Sequence, residues 1–134
     1  MGQQQLLLIV LGVIIVGIAV VVGINVFTAS SLEANKSALV SDLQTIASMA
    51  QQYYRKPTAM GGGGNSFTGW TVPSSLKRTA NMSADVTATI TGGGQGVTLV
   101  ATGTEDGSDG NKGTVTLYIN PNNIDSVVFS SNYQ

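Results

Sequence analysis

The chain of 134 residues contains no cysteine and no histidine. Those two absences exclude disulfides, thiol nucleophiles, zinc sites with nitrogen or sulfur ligands, and every catalytic triad built on an imidazole. Enzymatic chemistry would have to run on seven carboxylates, so the chain is read as no enzyme, with neither cofactor nor metal. The lack of cysteine fits an oxidising exterior without requiring one. Charge is also scarce, at 10% of residues. The six basic side chains, Lys36, Arg55, Lys56, Lys77, Arg78 and Lys112, are scattered, which offers no surface to follow a phosphate backbone. Nucleic acid is therefore excluded as principal partner.

The charge is also unevenly placed, for the first charged residue is Glu33. Before it stands LLLIVLGVIIVGIAVVVGINVF, residues 6–27. As a helix this run would be roughly 33 Å long, enough for the ~30 Å hydrocarbon core of a bilayer. A cleaved leader has a basic start and a shorter apolar stretch, whereas Met1 to Gln5 carry no charge. The run is accordingly read as a retained helix.

The next segment, SSLEANKSALVSDLQTIASMAQQYYRKP, places Leu32, Leu39, Leu43, Ile46 and Ala50 on one helical stripe. No proline separates it from the apolar run, so one nearly continuous helix from about Leu6 to Lys56 is expected. A hinge at Asn25–Ser31 between two helices is the alternative. Arg55 and Lys56 suit the negative end of the helix dipole, and Pro57 with Gly61–Gly64 stops the helix.

The period then changes. Residues 84–91 alternate and are rich in β-branched side chains, and Gly92–Gly96 makes a turn. Residues 97–102 and 114–119 read as further strands separated by a polar loop over Gly103–Gly113, with Ile124–Ser130 as a possible fourth. Val115, Leu117 and Ile119 share one face. The expected fold is α+β: a long N-terminal helix, hydrophobic then amphipathic, packed on an antiparallel sheet of three or four strands. Its divisions are a hydrophobic segment, 1–27, and one globular domain, 28–134. The domain comprises the amphipathic half-helix 30–56, a Gly-rich loop 57–83 and the sheet 84–130. Phe67, Trp70 and Val72 of the loop are expected to help close the core.

An apolar start, a helix with an amphipathic second half, a Gly-rich loop and a small sheet together resemble a type IV pilin. Gly2 before Gln3-Gln4-Gln5 and the apolar run carries the resemblance in sequence, together with SALVSDLQTIASMAQQYY. It implies cutting after Gly2 by a membrane prepilin peptidase, methylation of the new amine, and handling by a pilus assembly machinery. It further implies a membrane precursor at the inner or cytoplasmic membrane that becomes an extracellular cell-surface filament, a helical polymer of the chain with itself. Assembly would then use Gln5, Leu8, Leu11, Gly12, Ile15, Gly17, Ile18, Val22 and Gly23. The family's usual glutamate at the fifth mature position is here Gln5, or Leu7 if cutting follows Gly2. The disulfide of many members is impossible without cysteine.

Gly12, Gly17 and Gly23 would let helices approach closely, although glycine is also ordinary in membrane helices. A monomeric, membrane-anchored extracytoplasmic β-domain binding a ligand such as a glycan is the competing function, and a minor pseudopilin is a third. Glu105–Asn111 is oxygen-rich but lacks the spacing of a calcium loop, and the glycine clusters lack the Lys-Ser/Thr of a phosphate cradle. Asn35 and Asn81 begin glycosylation sequons, of which Asn81 is preferred because Asn35 lies on a helix expected to be packed. Exposed serines and threonines are a compositional alternative for glycans. Tyr53 and Tyr54 are assigned to packing under the loop.

Overall fold

Alternating β-branched runs and one long uninterrupted helical pattern determine the architecture in the computed structural model, which describes residues 2–107 and 109–133. Met1, one of the two expected mature starts, and Ser108, within the acidic loop, lie outside the described residues. Helix α1 spans Gly2–Arg55 as a single element, with helical backbone continuing through Asn25–Ser31. Four strands follow: β1 (Thr87–Thr91), β2 (Gly96–Asp106), β3 (Lys112–Ile119) and β4 (Ile124–Phe129). They form one antiparallel sheet in the order β1-β2-β3-β4.

The chain divides between Ser31 and Leu32 into two units, four residues beyond the expected boundary at 27/28. In the second, Leu39, Leu43, Ile46 and Ala50 are fully buried, as the stripe required. They share a core with Val97, Leu99 and Ala101 of β2 and Val115, Leu117 and Ile119 of β3. Phe67, Trp70 and Val72 close this core from the loop, joined by Met82 and Val86. Each large aliphatic side chain so buried contributes about 2 kcal/mol through removal of apolar surface from water.

The Gly-rich loop does more than stop the helix. The last carbonyls of a helix have no partner within it. Here Gly63 N–H donates to Tyr53 O at 2.8 Å, Asn65 N–H to Tyr54 O at 2.8 Å, and Gly64 N–H to Lys56 O at 3.0 Å. A Cβ on Gly63 would overlap the Ser66 carbonyl, so the close return of the chain requires glycine there. Tyr53 and Tyr54 pin the same loop: Tyr53 OH donates to Thr68 O at 3.0 Å, and the Tyr54 ring lies 4.9 Å from that of Phe67.

Several strand boundaries differ from the sequence reading. Residues 84–86 are not strand, because Val86 N–H donates to Lys77 O in the preceding loop. The polar loop shrinks at both ends, since β2 runs on to Asp106 and β3 begins at Lys112. Gly103 and Gly113 are therefore strand residues, and they make a slot. A Cβ on Gly113 would overlap the Tyr133 ring, and one on Gly103 would overlap the Tyr133 hydroxyl and Asn35 Oδ1.

Candidate functional site

The first unit is a helix that buries none of its large apolar side chains among the described residues. From Leu6 to Phe27 its large apolar side chains are all exposed, from 53% at Leu11 and Ile14 to 74% at Phe27. Its length and composition suffice to cross a membrane. Leu8, Leu11, Ile15, Ile18 and Val22 succeed one another at steps of three and four, so they form one stripe of the kind that packs helix against helix. Gln5, Gly12 and Gly23 align on an adjoining strip, about 90° round the axis at 3.6 residues per turn. Gly17 stands about 130° from that strip, so the expected assembly residues do not form one face. Among the described residues, and apart from the helix's own adjacent backbone, nothing lies within 4 Å of a Cβ added at Gly2, Gly12, Gly17 or Gly23. Intramolecular packing therefore gives no reason for glycine at these positions, although glycine costs a helix interior about 1 kcal/mol relative to alanine.

Asn35 is packed, the condition under which the sequence reading preferred Asn81 as the glycosylation candidate. Its side chain is buried and satisfied at both ends: Oδ1 accepts from Tyr133 OH at 2.9 Å, and Nδ2 donates to Asn81 O at 3.0 Å and Thr104 Oγ1 at 3.3 Å. A glycan on that nitrogen would break the bonds and the packing together. Asn81 is half-buried, and its Nδ2 donates to Asp42 Oδ2 at 3.2 Å, an oxygen that also accepts from Thr79 OH at 2.7 Å. Both asparagines thus fasten the loop over residues 79–82 to α1.

In the acidic loop, Asp109 accepts from Asn111 through both carboxylate oxygens, and the Asn111 backbone N–H holds its pKa below the usual carboxylate value. Asp106 instead pairs with Lys112 at 3.1 Å. Among the described residues no group of three or more acidic side chains is placed to hold a metal ion.

The sheet's outer face escaped the sequence reading. Residues pointing away from the core meet across the strands as Thr89, Thr98, Tyr118 and Ser126 in one row. Thr87, Val100, Thr116 and Val128 form the next row. Thr102 pairs with Thr114 beyond it. The alternation that buries Val97, Leu99 and Ala101 requires Thr98, Val100 and Thr102 on the other side. Tyr118 is 42% exposed on this face. No family model matches the chain, and no curated protein or solved structure matches it.

Proposed function

We propose that the chain is the structural subunit of an extracellular type IV pilus-like filament, held in the membrane before assembly and polymerised through residues 1–27. The observation that carries this reading is the exposure of every large apolar side chain from Leu6 to Phe27. Water cannot host that surface without a large free-energy cost, so lipid or other apolar helices must cover it.

The glycines favour other helices as the final cover. Small residues matter where backbones approach closely, and lipid chains impose no such demand. Gly17 lies on a different side from Gly12 and Gly23, which suits a helix with neighbours on more than one side, as in a polymer core. A polymer core of this kind is as apolar as lipid, so transfer from bilayer to filament exchanges one apolar environment for another. The compact second unit then decorates the polymer with a folded domain that has its own core. The family resemblance supplies the peptidase, the assembly machinery and the surface location.

Electron microscopy of material sheared from cells producing the full chain tests the proposal directly. Filaments containing the chain are expected. A chain found only in detergent extracts of membranes, as a monomer, would overturn it in favour of the anchored binding module.

A further inference from the structure

We propose that the outer face of the sheet is a binding face for a neutral saccharide, with Tyr118 as the platform on which a sugar ring stacks. The proposal goes beyond filament formation and does not depend on it. Threonine and serine suit a solvated sheet face as well as charged side chains do, so what distinguishes this one is its neutrality: the two central rows contain no charged residue. The face has Thr89, Thr98, Tyr118 and Ser126 in register, flanked by Val100 opposite Thr116. Among the described residues of these strands, the ion pair on this side is Lys112 with Asp106, which neutralises itself at the far end.

That chemistry selects its occupant. A charged ligand would lose hydration against a surface with no counter-charge, which is costly. An uncharged ligand with hydroxyls and C–H patches meets threonines that each present one hydroxyl and one methyl. Tyr118 lies inside the sheet, on the third strand, and is 42% exposed, and a phenol combines an apolar ring with a polar hydroxyl in one side chain. Threonine is stiff at χ1, so the array loses little side-chain freedom on binding.

Area argues against a second copy of the chain as the occupant. With strands ~4.8 Å apart and same-face residues ~6.8 Å apart along a strand, the face measures roughly 14 by 20 Å, or about 300 Å². A stable protein–protein contact takes about 800 Å² from each partner. A few sugar rings suit the smaller figure.

Gel electrophoresis of the full chain in a polyoxyethylene detergent, with mannan, a soluble β-glucan or heparin cast into the gel, tests the proposal. Retardation by mannan or β-glucan and none by heparin is expected. Tyr118→Ala should weaken it at least tenfold, and so should Thr98→Lys, which puts a charge in the middle row. Thermal melting of each variant identifies any loss of folding, and Tyr118→Phe, which keeps the ring, should retain most of the binding. The proposal is overturned if neither neutral polysaccharide retards the chain or if heparin does so more strongly. It is equally overturned if Tyr118→Ala, still folded, migrates as the parent does, or abolishes concentration-dependent self-association instead.

Discussion

Leu8 and Leu43 are the same residue in the same helix, yet one is 67% exposed and the other fully buried. Their local structure is alike, and what differs is the neighbouring sequence. Around Leu43, polar residues occupy the positions that the sheet does not cover, so the helix has a wet side and a dry side. From Leu8 onward to Phe27 the helix has no charged side chain and is apolar on all sides, so it has no wet face to set against a dry one. The comparison separates two uses of apolar residues. After Ser31 they stabilise a fold, and before it they prescribe an environment.

Paired substitutions offer the sharpest way to break that contrast. Leu43→Asp buries a carboxylate among Leu39, Leu99 and Leu117 with no cation beside it, and should cost more than about 4 kcal/mol, enough to unfold a small domain. Leu8→Asp should leave the domain's melting temperature unchanged while impairing membrane insertion, by less than the roughly 3 kcal/mol an Asp costs at a helix centre because position 8 lies near the end of the run. Thermal denaturation and membrane fractionation read the two effects. Equal melting temperatures for Leu43→Asp and the parent chain would remove the stripe from the core. A chain truncated to begin at Thr28 carries the contrast to its limit. It should be monomeric without detergent, as sedimentation would show.

A smaller effect is expected at the helix glycines. Gly17→Leu adds a side chain where the subunit itself leaves open space, so domain stability should not change. Overpacking against a neighbouring helix would cost about 1 to 3 kcal/mol per contact and should deplete sheared filaments at constant membrane content. Undiminished filaments would show that Gly17 faces no close neighbour.

Gly103→Ala should cost a comparable or smaller amount, about 1 to 2 kcal/mol, but in the domain rather than the polymer. The added methyl meets the Tyr133 hydroxyl and Asn35 Oδ1, and a urea midpoint lowered by this amount would confirm the slot.

These glycines show where the sequence was legible and where it was not. The stripe at Leu39, Leu43, Ile46 and Ala50 and the face of Val115, Leu117 and Ile119 follow from period alone, because burial enforces period. Gly103 and Gly113 resemble loop boundaries by composition, and only the long-range position of Tyr133 makes them strand residues. Asn35 did carry a signal. It stands four residues before Leu39 on the buried stripe, where a polar side chain is either a defect or a tie. Its partners at positions 81, 104 and 133 are beyond any local pattern. On the outer face, the alternating threonines were visible, but the register that assembles them into rows was not. At the apolar helix the exposed surface was legible.

The smallest effect expected is a pH dependence centred on Tyr133. Burial raises its phenol pKa above the ordinary 10.0, and the Glu105 carboxylate raises it further. A folded-state pKa above the unfolded one means that the native state holds the phenolic proton more tightly. The stabilisation is complete below about pH 10 and is lost as pH rises through the folded pKa. The proton concerned is the one Tyr133 donates to Asn35 Oδ1. Tyr133→Phe removes the donor and leaves a buried acceptor short of one partner, which should cost about 1 to 2 kcal/mol near neutrality. At about pH 11 the gap between parent and variant should narrow, because the parent alone must give up a buried proton. Urea unfolding at both pH values measures it. A gap that stays constant would mean that Tyr133 titrates as freely in the folded chain as in the unfolded one, and that the slot between Gly103 and Gly113 does not exclude water.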